Sequence, residues 1–160
     1  VIFAELGRGR VLSVTSGKVE ELATGLRQPM GVAISADGTC FITESGAGRV
    51  VKLSRGGVDI VLDGLQQPQG ILVCGDLLYI VDAAAKELVE YDVANRTRRI
   101  IAASLPVGAP PGVIPKFIGA IGDMSGPMGP FAGITAGPDG TLYLSADAEG
   151  SILALRPKLA

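Results

Sequence analysis

Histidine is absent from the 160 residues, and that absence removes more chemistry than any other feature of the composition. Without imidazole there is no Ser/His/Asp or Cys/His nucleophile system and no His-containing zinc site. No GxSxG elbow and no phosphate-binding loop takes their place. Tryptophan is also missing, with only four Phe and three Tyr. Two cysteines, Cys40 and Cys74, lack CxxC spacing, so they read as small buried hydrophobes rather than metal ligands or a redox pair. No apolar run approaches the roughly 18 residues of a membrane helix, and no charged-then-apolar leader opens the chain. The expectation is a soluble protein, cytoplasmic or exported without a signal peptide in this chain. The sequon Asn95-Arg96-Thr97 has meaning only in a secreted eukaryotic chain, so it leaves the compartment open. The net charge of −2, with acids and bases interspersed, offers no footprint for nucleic acid and no polybasic arm for a membrane. Arg96, Arg98 and Arg99 read as a solvated turn.

What the chain does have is glycine, 23 residues of it, with 10 prolines and 48% apolar content. That mixture favours short strands and tight turns over long helices. It is also periodic. Residues 3–29 align without a gap onto residues 42–68, 39 positions later, so that Glu5 meets Glu44, Gly9-Arg10-Val11 meets Gly48-Arg49-Val50, and Gln28-Pro29 meets Gln67-Pro68. The run from Gly31 recurs from Gly133, with Asp37-Gly38-Thr39 falling on Asp139-Gly140-Thr141, and a weaker copy starts at Gly70.

Each unit reads as four strands, exemplified by Gly31–Ser35, Cys40–Thr43 after an Asp-Gly turn, Arg49–Leu53, and Val58–Leu62 after Gly56-Gly57. Strands that are apolar at nearly every position are buried on both faces, as radially stacked sheets require. A four-stranded unit of about forty residues predicts an all-β β-propeller of antiparallel blades. The units are about 1–26, 27–65, 66–105 and 106–160, in one propeller domain or part of one. The first unit opens in its second strand and the last closes after its third, so about four blades are present with both terminal blades incomplete. Their exposed edges demand pairing. The ends close on each other, a homodimer completes the ring, or the chain is a fragment or half-ring of something longer, the reading favoured here. An insertion of about 24 residues, within 106–130, separates the third and fourth units; it is rich in Pro and Gly and too apolar for a free linker. It reads either as a plug or brace or as a lid over a ligand site.

Two kinds of loop share one face of a propeller: those joining the second and third strands, and those joining one blade to the next. The first kind carries Glu5, Glu44, Asp82 and Asp147, a semicircle of oxygen ligands for calcium or another divalent cation. The second kind and the insertion carry Met30, Gln69, Phe117, Met124 and Phe131, candidate ligand contacts. Against a metal role, a carboxylate recurring once per blade also suits a structural task, such as accepting backbone N–H bonds from the Gly-rich turn that follows it. Asp37 and Asp139 read as turn residues.

The motif LxxPxGVAxxxDGxxFxTExxxGRVxxL resembles the repeat of NHL-type propellers and of the related SMP-30/gluconolactonase/LRE-like proteins and virginiamycin B lyases, across nearly the whole chain outside the insertion. The resemblance implies a propeller but no single activity. For lactonases of this superfamily it implies a divalent cation at the channel mouth, held by Asn or Asp directly before the glycine of the first strand. Those slots here hold Met30, Gln69 and Ala132. For the lyases it implies a catalytic His, which this chain lacks. Two functional expectations follow. The first is a non-enzymatic module, with no required cofactor, binding an unidentified protein or small molecule on the carboxylate-and-insertion face. The alternative is part of a metal-dependent lactone hydrolase, with the cation held by some of Glu5, Glu44 and Asp82 together with Gln69 and blades absent from this sequence. A catalytic residue is assigned in neither.

Overall fold

In a computed structural model the chain is described over residues 1–109 and 131–156. Phe117, Met124 and most of the insertion lie outside those residues. The rest is all-β. The first sheet comprises β1 (Ile2–Glu5), β2 (Arg10–Thr15) and β3 (Lys18–Ala23), and the second β4 (Pro29–Ile34), β5 (Cys40–Glu44), β6 (Arg49–Ser54) and β7 (Gly57–Leu62). The third comprises β8 (Pro68–Cys74), β9 (Leu77–Asp82), β10 (Glu87–Asp92) and β11 (Thr97–Ala102), and the fourth β12 (Ile134–Ala136), β13 (Leu142–Ala146) and β14 (Ser151–Leu155). Every sheet is an antiparallel meander in chain order. Among the described residues no helix is long and apolar enough to cross a membrane.

Turn chemistry sets this meander. At Asp37-Gly38, Gly38 has φ +87°, a region that a residue with a Cβ enters at a cost. The Asp37 carboxylate accepts from Ser35 Oγ and from the Thr39 amide at 3.0 Å. Those bonds, the one from Ser35 first, hold its carboxyl below the usual range. Asp139 and Gly140, at φ +79°, repeat the device, and Asp139 accepts from both the amide and the hydroxyl of Thr141. Open space surrounds Gly38, so Gly38→Val is expected to cost only backbone strain, about 1–2 kcal/mol in denaturant unfolding. An unchanged midpoint would disprove the turn.

Burial peaks inside the blade rather than at its inner strand: β4 and β12 are less buried than β5 and β13. All five residues of β5 are buried, whereas the outer strands β3 and β11 are mostly exposed and β7 is half exposed. Three cores lie between successive blades. One packs Val11, Ala23 and Leu26 against Cys40, Ile42 and Val51; a second packs Phe41, Val50 and Leu62 against Ile71, Leu78 and Ile80. The third sets Val81 and Leu88 against Leu142 and Leu144. A register shift recurs between the third and fourth strands of the first three blades, at Val11/Leu12, Val50/Val51 and Leu88/Val89, adding twist where each sheet must follow its neighbour.

Three local expectations are corrected. Cys40 is buried, which raises its thiol pKa, but Cys74, in the last position of β8, is exposed. Arg98 and Arg99 belong to β11, where Arg99 pairs with Glu90 at 2.6 Å; only Arg96 sits in a turn. Gly57 opens β7 with φ +134°, leaving Arg55 and Gly56 as the turn.

Candidate functional site

The second strand of each blade ends on the face where the linkers also run. In the first two blades a three-residue 3-10 turn follows, Leu6–Arg8 and Ser45–Ala47, capped by glycines in the left-handed region, Gly9 and Gly48. Glu5 and Glu44 stand immediately before these turns. The strand end, or for Asp147 the position just after it, brings all four predicted carboxylates toward one face, but three of them turn into the protein's own backbone.

Glu44 is fully buried. Its Oε1 accepts the Arg27 amide at 2.7 Å, from the linker that enters β4, and its Oε2 takes Arg49 Nε at 2.5 Å. Asp82, 1% exposed, accepts the amides of Gln66 and Gln67 at 2.8 Å each, from the linker that enters β8. Asp147 accepts the Gly108 amide at 3.0 Å; its other oxygen is buried and has no partner among the described residues. Glu5 pairs with Arg10 through Oε2 and lies 3.7 Å from Arg8 through Oε1. The recurring carboxylate is therefore a staple between a strand end and a linker. The amides it binds come mainly from the linker preceding its blade, not from the turn following it; only Ala85 donates to Asp82 from that turn, at 3.4 Å. Among the described residues no three acidic or cysteine side chains gather as a group able to hold a metal ion.

The ligand candidates are scattered in role. Gln69 is buried, and its Oε1 accepts the Ala132 amide at 2.8 Å, while its carbonyl accepts Thr43 Oγ1 at 2.6 Å. Met30 is half-buried and Phe131 is 37% exposed. Lys86 donates to the carbonyls of Val107 and Ala109, bracing the entry to the insertion. The partner arginines and the hydroxyl of Thr43 were not singled out from sequence. The arginines had a signal: Glu5 and Arg10 repeat the spacing of Glu44 and Arg49, one unit earlier.

A groove of 530 Å³ lies elsewhere, between the third and fourth blades, lined by Tyr79, Glu90, Arg99, Ile100, Leu142 and Leu155. Gly140, of an Asp-Gly turn, borders it, which places it toward the opposite face. Burial first, and then the neighbouring Glu90 charge, raise the Tyr79 phenol pKa.

Meandering blades packed face to face define a β-propeller fold. Solved structures agree. The chain matches a gluconolactonase from Xanthomonas campestris with a TM-score of 0.65 at 17% identity, covering 98% of this chain and 71% of that one. It matches virginiamycin B lyase from Staphylococcus aureus with a TM-score of 0.64 at 15% identity, covering 99% of this chain and 52% of that one. At these identities the likeness shows the β-propeller fold. This chain spans about half the length of the lyase. No family model and no curated protein matches the chain.

Proposed function

We propose that the chain is a non-catalytic propeller module that presents its face of linkers and second-to-third strand loops to a protein or small-molecule ligand. The observation that carries this reading is the internal use of the acidic semicircle. Glu44 and Asp82 already satisfy linker amides, and moving either onto a cation would leave part-buried N–H donors without their acceptor and unpin the linkers. With the carboxylates serving as braces, Met30 and Phe131 are left as the apolar contacts of that face among the predicted residues. The competing reading is a cation-dependent lactone hydrolase, the activity named for the gluconolactonase of like fold.

The discriminating experiment is a pH-stat assay of δ-gluconolactone with the 160-residue chain and millimolar calcium, manganese or zinc. The expected result is no acid release above the buffer rate with any of them. Cation-dependent hydrolysis that Asp82→Asn reduces, in a variant that keeps its circular dichroism, would replace the binding reading with the hydrolase.

A further inference from the structure

The groove beside Tyr79 has a counterpart one blade earlier, between the second and third blades, where the charges are arranged differently. Two hollows of 410 and 260 Å³ share Lys52 and Val93 there, the larger bordered by the turn of Asp37. Both lie against the apolar core between those blades, where Phe41 and Tyr91 are buried and Val61, Val73 and Val93 are half-buried. Each of the two blades has all four strands, so the cleft is walled by complete sheets.

Strand register makes the two clefts comparable. Phe41 faces Lys52 across β5 and β6, and Lys52 faces Asp59 across β6 and β7. In the third blade the same row reads Tyr79, Glu90 and Arg99. Glu90 and Arg99 neutralise each other at 2.6 Å. Lys52 is half-buried, Asp59 is exposed, and the two do not pair; among the described residues the Lys52 ammonium has no hydrogen-bond or ion-pair partner.

The smaller hollow adds a second cation. Its lining is Lys52, Ile60, Val61, Tyr91, Val93 and Arg96, two positive charges on apolar walls with no carboxylate among them. Arg96 likewise has no partner among the described residues. Asp92, four residues before it, gives both oxygens to Asn95, whose bonds hold that carboxyl below its usual range. In the larger hollow Asp37 is already taken by Ser35 and Thr39, and Asp76 is exposed. A recess lined by charge of one sign on low-dielectric walls concentrates counter-ions. Its size is at the small-molecule end of ligand sites.

We propose that the cleft between the second and third blades is a binding site for a small carboxylate with an apolar body. The carboxylate lies between Lys52 and Arg96, and the body covers Val61, Tyr91 and Val93. The ligand supplies the acid that Glu90 supplies to Arg99 in the next cleft. The site does not depend on the ligand-binding reading above, since it lies between blades and not on the face of linkers.

The test is a set of amide proton–nitrogen correlation spectra of the full chain, titrated with hydrocinnamate at fixed pH and ionic strength. Saturable shifts are expected at the amides of Lys52, Val61, Val93 and Arg96. Hydrocinnamyl alcohol, with the same body and no charge, should bind about tenfold more weakly or worse, because the charge-assisted hydrogen bonds are lost. Acetate and inorganic phosphate, charged but without the body, should also bind more weakly. Lys52→Met keeps the aliphatic stem and removes the ammonium, and should weaken hydrocinnamate about tenfold. Arg96→Asn should do the same; it lies in an exposed turn, and Asn tolerates the φ of +56° there. The same spectra report whether each variant keeps the parental fold. The proposal is overturned by an absence of saturable shifts, by shifts confined to other parts of the chain, or by equal binding of the alcohol, acetate or phosphate. Full affinity in either variant that keeps the parental spectrum overturns it as well.

Discussion

Replacing Gly70 with valine is expected to lower stability by at least about 3 kcal/mol, the upper end of overpacking costs, and to drop the melting temperature by roughly 10 °C. The backbone angle is not the reason, since Gly70 is not in the left-handed region. The reason is contact: an added Cβ would meet the Ala132 carbonyl oxygen at 2.5 Å and the Gly133 backbone at 3.1 Å. Neither is the movable end of a side chain, so relief requires two inner strands to separate. Gly133 supplies the internal control. It fills the same slot of the repeat, but its nearest neighbours lie at 3.6 Å, so Gly133→Ala should change stability by less than about 1 kcal/mol. Thermal unfolding of the two variants checks the pair, and equal losses would mean that the inner strands do not approach as described.

Glu44→Ala is expected to cost about 3 kcal/mol in denaturant unfolding, at the low end for breaking a buried ion pair because Arg49 retains 28% exposure. Two donors lose their acceptor together, the Arg49 guanidinium and the Arg27 amide. Adding Arg49→Ala to that variant should then cost much less than Arg49→Ala alone, since the guanidinium has already lost its partner. Equal costs in both backgrounds would show that the pair is not coupled. Glu44→Gln, which keeps a carbonyl acceptor for the amide, should fall between the parent and the alanine variant.

These residues also mark how far the sequence could be read. The blades were legible because the repeat preserves both the hydrophobic pattern and the turn residues, and the structure puts strands where the Asp-Gly pairs and the β-branched runs place them. The carboxylates were legible as a recurring set that could accept backbone N–H bonds, but not as staples to the preceding linkers. Their partners are backbone amides of the linkers, and a backbone amide has no identity in a sequence. The alignment also hid one equivalence and overstated another. Asp82 faces Pro68 as Glu44 faces Pro29, although the third unit is one residue shorter ahead of it. Asp147 falls opposite Ser45, one position beyond, and the place of Glu44 is held there by Ala146. A side chain one position along a strand-to-turn junction points elsewhere, so Asp147 reaches Gly108 with one oxygen and leaves the other unpartnered among the described residues. Gln69 was read as a ligand contact from its slot alone. Burial by the following blade, which only the assembled sheets reveal, turns it inward.

Gln69 joins three blades at once, with Thr43 donating to its carbonyl and its side chain accepting from Ala132. Neighbouring sheets are therefore stitched around the inner strand β8 by hydrogen bonds, in addition to the apolar layers between them. Separating one blade from the next therefore breaks hydrogen bonds as well as exposing apolar surface, so the second, third and fourth blades should exchange their inner amides together rather than one blade at a time.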